Sequence, residues 1–451
     1  RESRPDLVED AGPMHLAISF APPGVAPGTA FVNAHGAPQR YYDPDEQSIL
    51  GGDIDTKNSL DRNYLWLAEH AATPAEIRPL CEAERIARAA DGRWQVDYVE
   101  RTPITGRWAG FRRRWLPWAP APVRAQRTIR ARRVVVACGA IGSSELLLQQ
   151  RDEHHTLALG PLLGHRYTTN GDYLTLLVLF RGWLVSWLGF CAAVVLAALG
   201  HWPAAGGALA AYYAGLAMSR PAVDPDRGTT NSDYLRFRAR DGSPQGAYLE
   251  SGRYPTLGKL AGAILISMVT GRFRPRSYRA VARVARALAW IVPPFGALAR
   301  SYPIPLLSMG RDDALGTIRL EGGRAVIDFD ARANAAFYRY LEQLGRLVAR
   351  AVGAIWLPHL LYKLLGRMEV PHNQGGVPMG DGPADGVVDH AGRVFGHADL
   401  MVLDGSIIPV SVGPNPALTI LALSERAMEV VLAQLVRDGE IRAEPASPPA
   451  D

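Results

Sequence analysis

The stretch RVVVACGAIGSSELLL, residues 133–148, decides the fold class of this chain. Its apolar run Val134–Val136 predicts a buried strand, and Gly139 predicts a tight turn. The residues that follow predict a helix with Ser143 or Ser144 as its N-cap. At such a junction, the N–H groups of the helix start point at whatever lies above the strand end. The stretch therefore indicates an α/β domain with a ligand-facing turn.

Patterns on both sides of this stretch add antiparallel structure. Alternation of apolar and polar residues predicts a strand at 94–99, and a hairpin over 316–329 that turns at Glu321-Gly322-Gly323. A helical repeat of apolar residues predicts an amphipathic helix over 333–352. Residues 1 to about 50 are rich in Pro and Gly and predict surface loops.

Composition limits the functional classes. The 451 residues are 48% apolar and 21% charged, which is globular, and the length predicts two domains with room to bury a cofactor. A net charge of +5 without a concentrated basic face argues against nucleic-acid binding. Cys81, Cys138 and Cys191 show no CxxC or metal-ligand spacing, so we expect a reducing compartment and no metal centre.

A long uncharged stretch interrupts the second half of the chain. The 38 residues between Arg181 and Arg220 contain no Asp, Glu, Lys or Arg, and His201-Trp202-Pro203 divides them. We expect a membrane-inserted or membrane-dipping hairpin over 183–218, and the alternative is one or two buried helices. Arg and Trp residues are interleaved within 107–118, which suits a membrane–water interface or an ordinary surface loop.

The last hundred residues carry the candidate chemistry. His372 stands just before Gly375-Gly376, and glycines permit a close backbone approach to a flat ring system. Asn415 and Pro416 suit the N-cap and first turn of a helix that runs to about Arg437. The N-terminus of that helix could stabilise negative charge on a cofactor.

Six stretches, in this order, resemble the glucose-methanol-choline (GMC) family of flavin oxidoreductases, and most of all its cholesterol oxidase-like branch. They are residues 57–65, 134–148, 170–172, 372–380, 404–406 and 415–426. The resemblance implies FAD as cofactor and oxidation of an alcohol by hydride transfer to the flavin, while a base takes the hydroxyl proton. It implies that His372 positions or deprotonates the hydroxyl, that Asn415 bonds near the reacting centre, and that Glu250 is a third catalytic candidate.

The resemblance also implies which residues line the cofactor. They are Gly139, Ala140, Asn170, Gly171, Asp172, Asp404, Gly405, Asn415, Pro416 and Ala417. The implied fold is α/β plus α+β: a Rossmann-like FAD-binding domain, N-terminally incomplete, interleaved with an antiparallel-sheet substrate domain. We expect a loop-rich segment at 1–73, FAD-binding parts at 74–165 and 372–440, the substrate domain at 166–371, and a disordered tail at 441–451.

One family element is missing, because no strand in this sequence is followed by the GxGxxG turn that cradles the pyrophosphate. Either an N-terminal βαβ unit is absent from the chain, which we favour, or the protein is a degenerate remnant. We expect an oxidoreductase for an apolar, sterol or lipid-like alcohol, associated with the cytoplasmic side of a membrane, with oxygen or a membrane carrier as electron acceptor. The alternatives are a membrane-associated protein without catalytic activity, and a cytosolic enzyme with 183–218 buried.

Overall fold

The computed structural model describes residues 7–44, 54–103, 122–179, 183–218, 229, 231–238, 246–252 and 302–442. The described strands are β1 (Val8–Pro13), β2 (Ala30–Val32), β3 (Pro38–Arg40), β4 (Cys81–Arg88), β5 (Trp94–Arg101), β6 (Val123–Ala131), β7 (Val134–Val136), β8 (Tyr173–Leu179), β9 (Asn231–Phe237), β10 (Ala247–Gly252), β11 (Tyr302–Met309), β12 (Thr317–Glu321), β13 (Arg324–Asp328), β14 (Ile355–Leu357), β15 (Arg393–Val394) and β16 (His397–Val402). The described α-helices are α1 (Tyr64–Glu69), α2 (Gly139–Leu148), α3 (Trp183–Ala198), α4 (Trp202–Met218), α5 (Ala335–Val352), α6 (Leu360–Leu365) and α7 (Ala417–Arg437).

The largest described sheet has six strands in the order β1-β9-β10-β11-β8-β14, and every neighbouring pair is antiparallel. Helix α5 packs on β8 and β14, and it buries Tyr338, Leu341 and Leu344 in the same core as Leu249 of β10. The mixture of α/β and antiparallel structure expected from the sequence is confirmed.

A small parallel unit forms the α/β part. Strands β7 and β16 pair in parallel, and α2 follows β7. Helix α2 begins at Gly139 with Cys138 as N-cap, so the prediction that Ser143 or Ser144 caps it is wrong. The physical reason lies far along the chain. The Asp404 carboxylate accepts the Gly139 N–H at 3.0 Å and the Ser143 hydroxyl at 2.5 Å, and so supplies the negative group that a helix start favours.

Three local predictions are confirmed. The strand expected at 94–99 is β5, and the helix expected at 333–352 is α5. The hairpin expected at 316–329 consists of β12 and β13, joined by Gly322 and Gly323 with φ of 56° and 75°. Two successive positive φ angles are typical of the tight turn that matches the twist of a hairpin.

The prediction of surface loops for residues 1 to about 50 is wrong where the chain forms β1, β2 and β3. Strand β1 forms an edge of the six-stranded sheet, where it pairs with β9 from Val8↔Phe237 to Pro13↔Asp233. Its sequence, VEDAGP, has no strong strand propensity. Backbone hydrogen bonds to β9 therefore determine its conformation, and such long-range pairing leaves no local pattern in the sequence.

The uncharged stretch forms two helices, α3 and α4, which are separated at residues 199–201 as the break in the sequence predicts. They pack on each other, and their outward side chains are largely exposed. This exposure contradicts the alternative of buried core helices. Among the described residues, no helix combines the length and the apolar character needed to cross a membrane. The Arg- and Trp-rich segment at 107–118 lies outside the described residues.

The glycine pair after His372 packs directly against the chain near Arg166. The Gly376 N–H donates to the His165 carbonyl at 3.0 Å, and the Gly375 N–H donates to the Gly405 carbonyl at 3.0 Å. A Cβ on Gly375 would lie 1.9 Å from the Arg166 carbonyl oxygen, at a φ of +81°. Only glycine fits this position, because a side chain would force the two segments apart.

We expect Gly375→Ala to lower the free energy of unfolding by roughly 3 kcal/mol or more, because positive φ and a backbone clash add together. Gly92→Ala is the matched control, since Gly92 has a φ of +79° with nothing within 4 Å of its Cβ position. That variant should lose only about 1 kcal/mol. Urea denaturation of both variants gives the comparison, and equal losses would contradict the packing described here.

Candidate active site

The imidazole of His372 is fixed by a buried carboxylate. Asp172 is fully buried; its Oδ1 lies 2.8 Å from Nδ1 of His372, and its Oδ2 accepts the His372 backbone N–H at 2.9 Å. An ionised carboxylate only accepts hydrogen bonds, so Nδ1 carries the hydrogen and Nε2 remains the basic ring nitrogen. Because Asp172 directly precedes β8, the six-stranded sheet determines the position of the imidazole.

Glu250 and Asn415 are joined by a hydrogen bond. The Asn415 amide donates to Oε1 of Glu250, and the Asn231 amide donates to Oε2 at 3.0 Å. Glu250 lies in β10 and is only 1% exposed. It is also close enough to His372 for the charges of the two groups to interact. The structure therefore brings together Glu250, His372 and Asn415, the three catalytic candidates, although they are separated in sequence by up to 165 residues.

Burial determines the electrostatics of the two carboxyl groups. Removal from water raises the pKa of Glu250 above the usual glutamate range, and the hydrogen bond from Asn415 and the charge of His372 offset part of the rise. Burial likewise raises the pKa of Asp172, and its contacts with His372 offset part of that rise. Two buried carboxyl groups that both interact with a basic imidazole suit proton transfer at a reacting group.

Asn170 fixes the loop that carries Asn415. Its Oδ1 accepts the N–H groups of Val412 and Gly413, at 3.1 and 2.9 Å, and its Nδ2 donates to the carbonyls of Gly413 and Pro414. Asn170 is fully buried and has a φ of +56°, a conformation that asparagine tolerates better than most residues. The Asn170 side chain therefore holds this loop in place.

The prediction that Asn415 is the N-cap of α7 is wrong. The helix begins at Ala417 with Pro416 as N-cap, and no side chain caps it. Because the Asn415 amide donates to Glu250, its side chain points to the carboxyl group instead of to the helix start. An N-cap and a ligand to a distant side chain look alike in sequence, and the tertiary contact decides between them.

Sequence reasoning missed Asp312, a buried residue that joins the segments around the site. Its carboxylate accepts the N–H groups of Thr169, Gly171 and Ala314 at 2.9, 3.2 and 3.0 Å. It also accepts hydroxyl groups from Thr168, Thr169 and Ser411, at 2.5, 2.6 and 2.8 Å. The polar run Thr168-Thr169-Asn170 before an apolar strand was the available signal. Such a run must find buried partners if it enters a core.

The other predicted cofactor residues form a second group, next to α2. Asp404 binds the start of α2 and accepts the Ser406 N–H at 2.8 Å, while Ala140 and Gly405 are buried. Among the described residues, no atom lies within 4 Å of the Cβ position of Gly139, so open space adjoins its backbone there. The chain after His372 links the two groups, because Val377 donates to the Ser406 carbonyl at 3.0 Å.

The fit of a flavin can be tested on unpaired polar atoms and open backbone. Gln374 is fully buried, yet neither its Nε2 nor its Oε1 has a partner among the described residues, and the same holds for Oγ of Ser406. Such atoms next to a glycine-rich turn, with open space at Gly139 and an uncapped start of α7, fit the hydrogen-bonding edge of a flavin ring. The described residues contain no strand–GxGxxG–helix unit for the pyrophosphate. The residues present therefore fit the reacting end of FAD.

Part of the chain matches a known protein family. Residues 314–424 match the GMC oxidoreductase family, through the model of its C-terminal domain. This range includes His372, Asp404 and Asn415 and ends inside α7. It lacks Glu250 and Asp172.

Two curated relatives cover more of the chain. A cholesterol oxidase of Mycobacterium tuberculosis is 26% identical over 393 residues, which are 82% of this chain and 55% of the relative. A cholesterol oxidase of Acinetobacter baumannii is 22% identical over 449 residues, which are 94% of this chain and 67% of the relative. Among solved structures, pyridoxine 4-oxidase from Mesorbium loti matches 85% of this chain and 64% of its own, at 15% identity and a TM-score of 0.46. The chain thus spans little more than half of the Mycobacterium relative.

We expect Asp312→Asn to lower the free energy of unfolding by about 2–4 kcal/mol, because an amide nitrogen cannot accept the buried N–H groups that the carboxylate accepts. The neighbouring Asp313 is exposed, so Asp313→Asn should change stability by less than about 0.5 kcal/mol. Chemical denaturation measures both variants. A difference below the error between them would mean that Asp312 does not hold the site together.

The raised pKa of Glu250 makes stability depend on pH. The folded state binds this proton more tightly than the unfolded chain, so its contribution is complete below about pH 4.3, the unfolded value, and is lost as pH rises through the raised folded pKa. The Tm of wild type should therefore fall relative to that of Glu250→Gln across this window. Glu84→Gln, at an exposed position of β4, should parallel wild type. If the Tm of Glu250→Gln changed with pH in the same way as that of wild type, the raised pKa of Glu250 would be refuted.

Proposed function

We propose that this chain belongs to a FAD-dependent enzyme that oxidises a CH–OH group, because residues 314–424 match the model of the C-terminal domain of GMC oxidoreductases. The supporting observation is the cluster in which Asn415 binds Glu250 and Asp172 orients His372. The cluster combines a basic ring nitrogen, a buried carboxyl group and amide donors, which together suit removal of a hydroxyl proton.

The chain's own residues would bind and deprotonate the alcohol. Nε2 of His372 accepts the hydroxyl proton, while Asp172 keeps the ring in the required tautomer. The imidazolium that results is stabilised by the carboxylates of Asp172 and Glu250. Asn415 keeps the Glu250 carboxylate in a single orientation. Bound FAD would supply the hydride acceptor, held by residues near Gly139, Gln374 and the start of α7.

The substrate in this proposal is an apolar alcohol, such as a sterol or another lipid-like alcohol. Two relatives that cover most of the chain are named cholesterol oxidases, although at 26% and 22% identity. Their names favour oxygen as the electron acceptor, and hydrogen peroxide release would separate it from a membrane carrier. An apolar substrate of this kind resides in membranes, so contact with a membrane surface is part of the proposal.

A second candidate is a protein that keeps the fold without turnover. The observation that favours it is that these 451 residues contain no GxGxxG turn, the usual cradle of a dinucleotide pyrophosphate. The visible spectrum of the purified chain discriminates the two candidates. A flavin spectrum supports the enzyme, and a colourless protein that cannot be loaded with FAD supports the alternative.

We expect anaerobic addition of a sterol or long-chain alcohol to bleach the flavin of the loaded protein. His372→Gln should slow this reduction by roughly 10²–10⁴-fold, because the base is lost while the flavin stays bound. Stopped-flow absorbance measures the rate, and the flavin content of each protein is measured first.

His154→Gln is the matched control, since His154 is exposed and remote from the cluster in its contacts. It should reduce flavin at the wild-type rate. If no alcohol reduces a fully loaded flavin, or if His372→Gln reacts as fast as wild type, the proposed function is wrong.

A further inference from the structure

We propose that the hairpin of α3 and α4 is a re-entrant anchor that inserts into the surface of an anionic lipid bilayer. This inference deepens the membrane contact of the proposed function by naming the inserting element and the lipid charge. Its test requires neither FAD nor an alcohol, so it can fail or succeed independently of the redox chemistry.

The hairpin has small residues at its closest helix–helix contact and large apolar residues on its outside. At the contact between the two helices, a Cβ on Gly189 would lie 2.6 Å from the Tyr212 backbone nitrogen, so the backbones approach closely. Ala193, Ala205 and Tyr212 are buried there. Close packing through Gly and Ala is typical of helix pairs in lipid, where large apolar side chains face outward.

The outward side chains are both apolar and exposed. Leu188 is 61% exposed, Val195 55% and, near the tip, Leu199 67% and Trp202 70%. No Asp, Glu, Lys or Arg occurs in either helix. A surface helix of a globular protein has a polar face for water, and these helices have none. A continuous apolar surface of this kind marks a binding surface.

The position of the hairpin in the chain indicates how it enters the bilayer. It follows β8 and precedes β9, and both are strands of the six-stranded sheet. Leu179, the last residue of β8, pairs with Tyr302, and Asn231, the first residue of β9, pairs with Gly252. All four residues thus lie at strand termini, so the chain leaves for the hairpin from this sheet and returns to it. The tip at residues 199–202 is then the deepest part of the anchor.

Charge in the sequence selects the lipid. Between Gly252 and Tyr302 the sequence contains nine of the 49 basic residues of the chain and none of its 44 acidic residues. Without this stretch the chain would carry a net negative charge. The stretch connects the same strand termini from which the hairpin departs, because β10 ends at Gly252 and β11 begins at Tyr302. Basic residues of a membrane-associated chain are attracted to anionic headgroups, each by roughly 1 kcal/mol when near the surface.

A second copy of the chain is a less suitable occupant. A partner protein covers one side of a helix pair, whereas Leu188, Val195 and Trp202 expose apolar surface along the hairpin and at its tip. The uncharged residues extend over both helices and the turn between them. Lipid chains can cover all of these surfaces at once.

Vesicle flotation tests the anchor with the full chain. We expect wild type to float with phosphatidylcholine vesicles that contain about 30% phosphatidylglycerol, and to bind purely phosphatidylcholine vesicles at least threefold more weakly. Leu199→Asp combined with Trp202→Asp should lower binding to the anionic vesicles at least tenfold. The control combines Val32→Asp and Val123→Asp, which change similarly exposed apolar residues on β2 and β6, and should bind within twofold of wild type.

A conservative variant keeps the test valid if the charged variant misfolds. In brominated-lipid vesicles, Trp202→Phe should bind as wild type does but show less quenching of tryptophan fluorescence, because the ring at the tip is gone. Failure of wild type to bind anionic vesicles would overturn the proposal, as would unchanged binding by the charged tip variant. A wild-type dimer that ignores vesicles and dissociates in that variant would assign the hairpin to a second copy instead.

Discussion

The site depends on one buried polar segment, residues 168–172, that enters the core before β8. Asp312 holds its backbone and its threonine hydroxyl groups. From this segment Asn170 binds the loop before Asn415, and Asp172 binds His372. Loss of Asp312, Asn170 or Asp172 leaves buried polar groups without partners, which is costly in a core. The same hydrogen bonds that satisfy the segment therefore determine the positions of the reacting side chains.

The antiparallel sheet and the small parallel unit contribute different parts of the site. In the antiparallel sheet, β9 supplies Asn231 and β10 supplies Glu250, while Asp172 directly precedes β8. The parallel pair of β7 and β16 supplies the open glycine turn at residue 139 and the carboxylate of Asp404. The glycines after His372 let the two units approach closely enough for backbone hydrogen bonds to form. A hydroxyl group and a flat cofactor could thus be held by separate units whose relative position is fixed.

Local physics made part of this predictable. Periodicity identified α5, β5 and the β12–β13 hairpin, because each buries one face of a regular element. Resemblance to a family indicated Glu250, His372 and Asn415, which the structure brings together. Prediction failed where a distant residue decides the outcome: Asp404 replaces a serine cap on α2, and Asp312 had no local signature. Tertiary hydrogen bonds leave no fixed spacing in a sequence, so these contacts required the structure.

The measurement that most directly tests this account is the tautomer of His372, read from its ring nitrogens by NMR of protein labelled with ¹⁵N-histidine. The signals are assigned by their loss in His372→Gln. Because Nδ1 lies 2.8 Å from the Asp172 carboxylate, we expect hydrogen on Nδ1 and an unprotonated Nε2 in the neutral ring. In Asp172→Ala this preference should disappear. A neutral ring with hydrogen on Nε2 in wild type would contradict the assignment of Nε2 as the base.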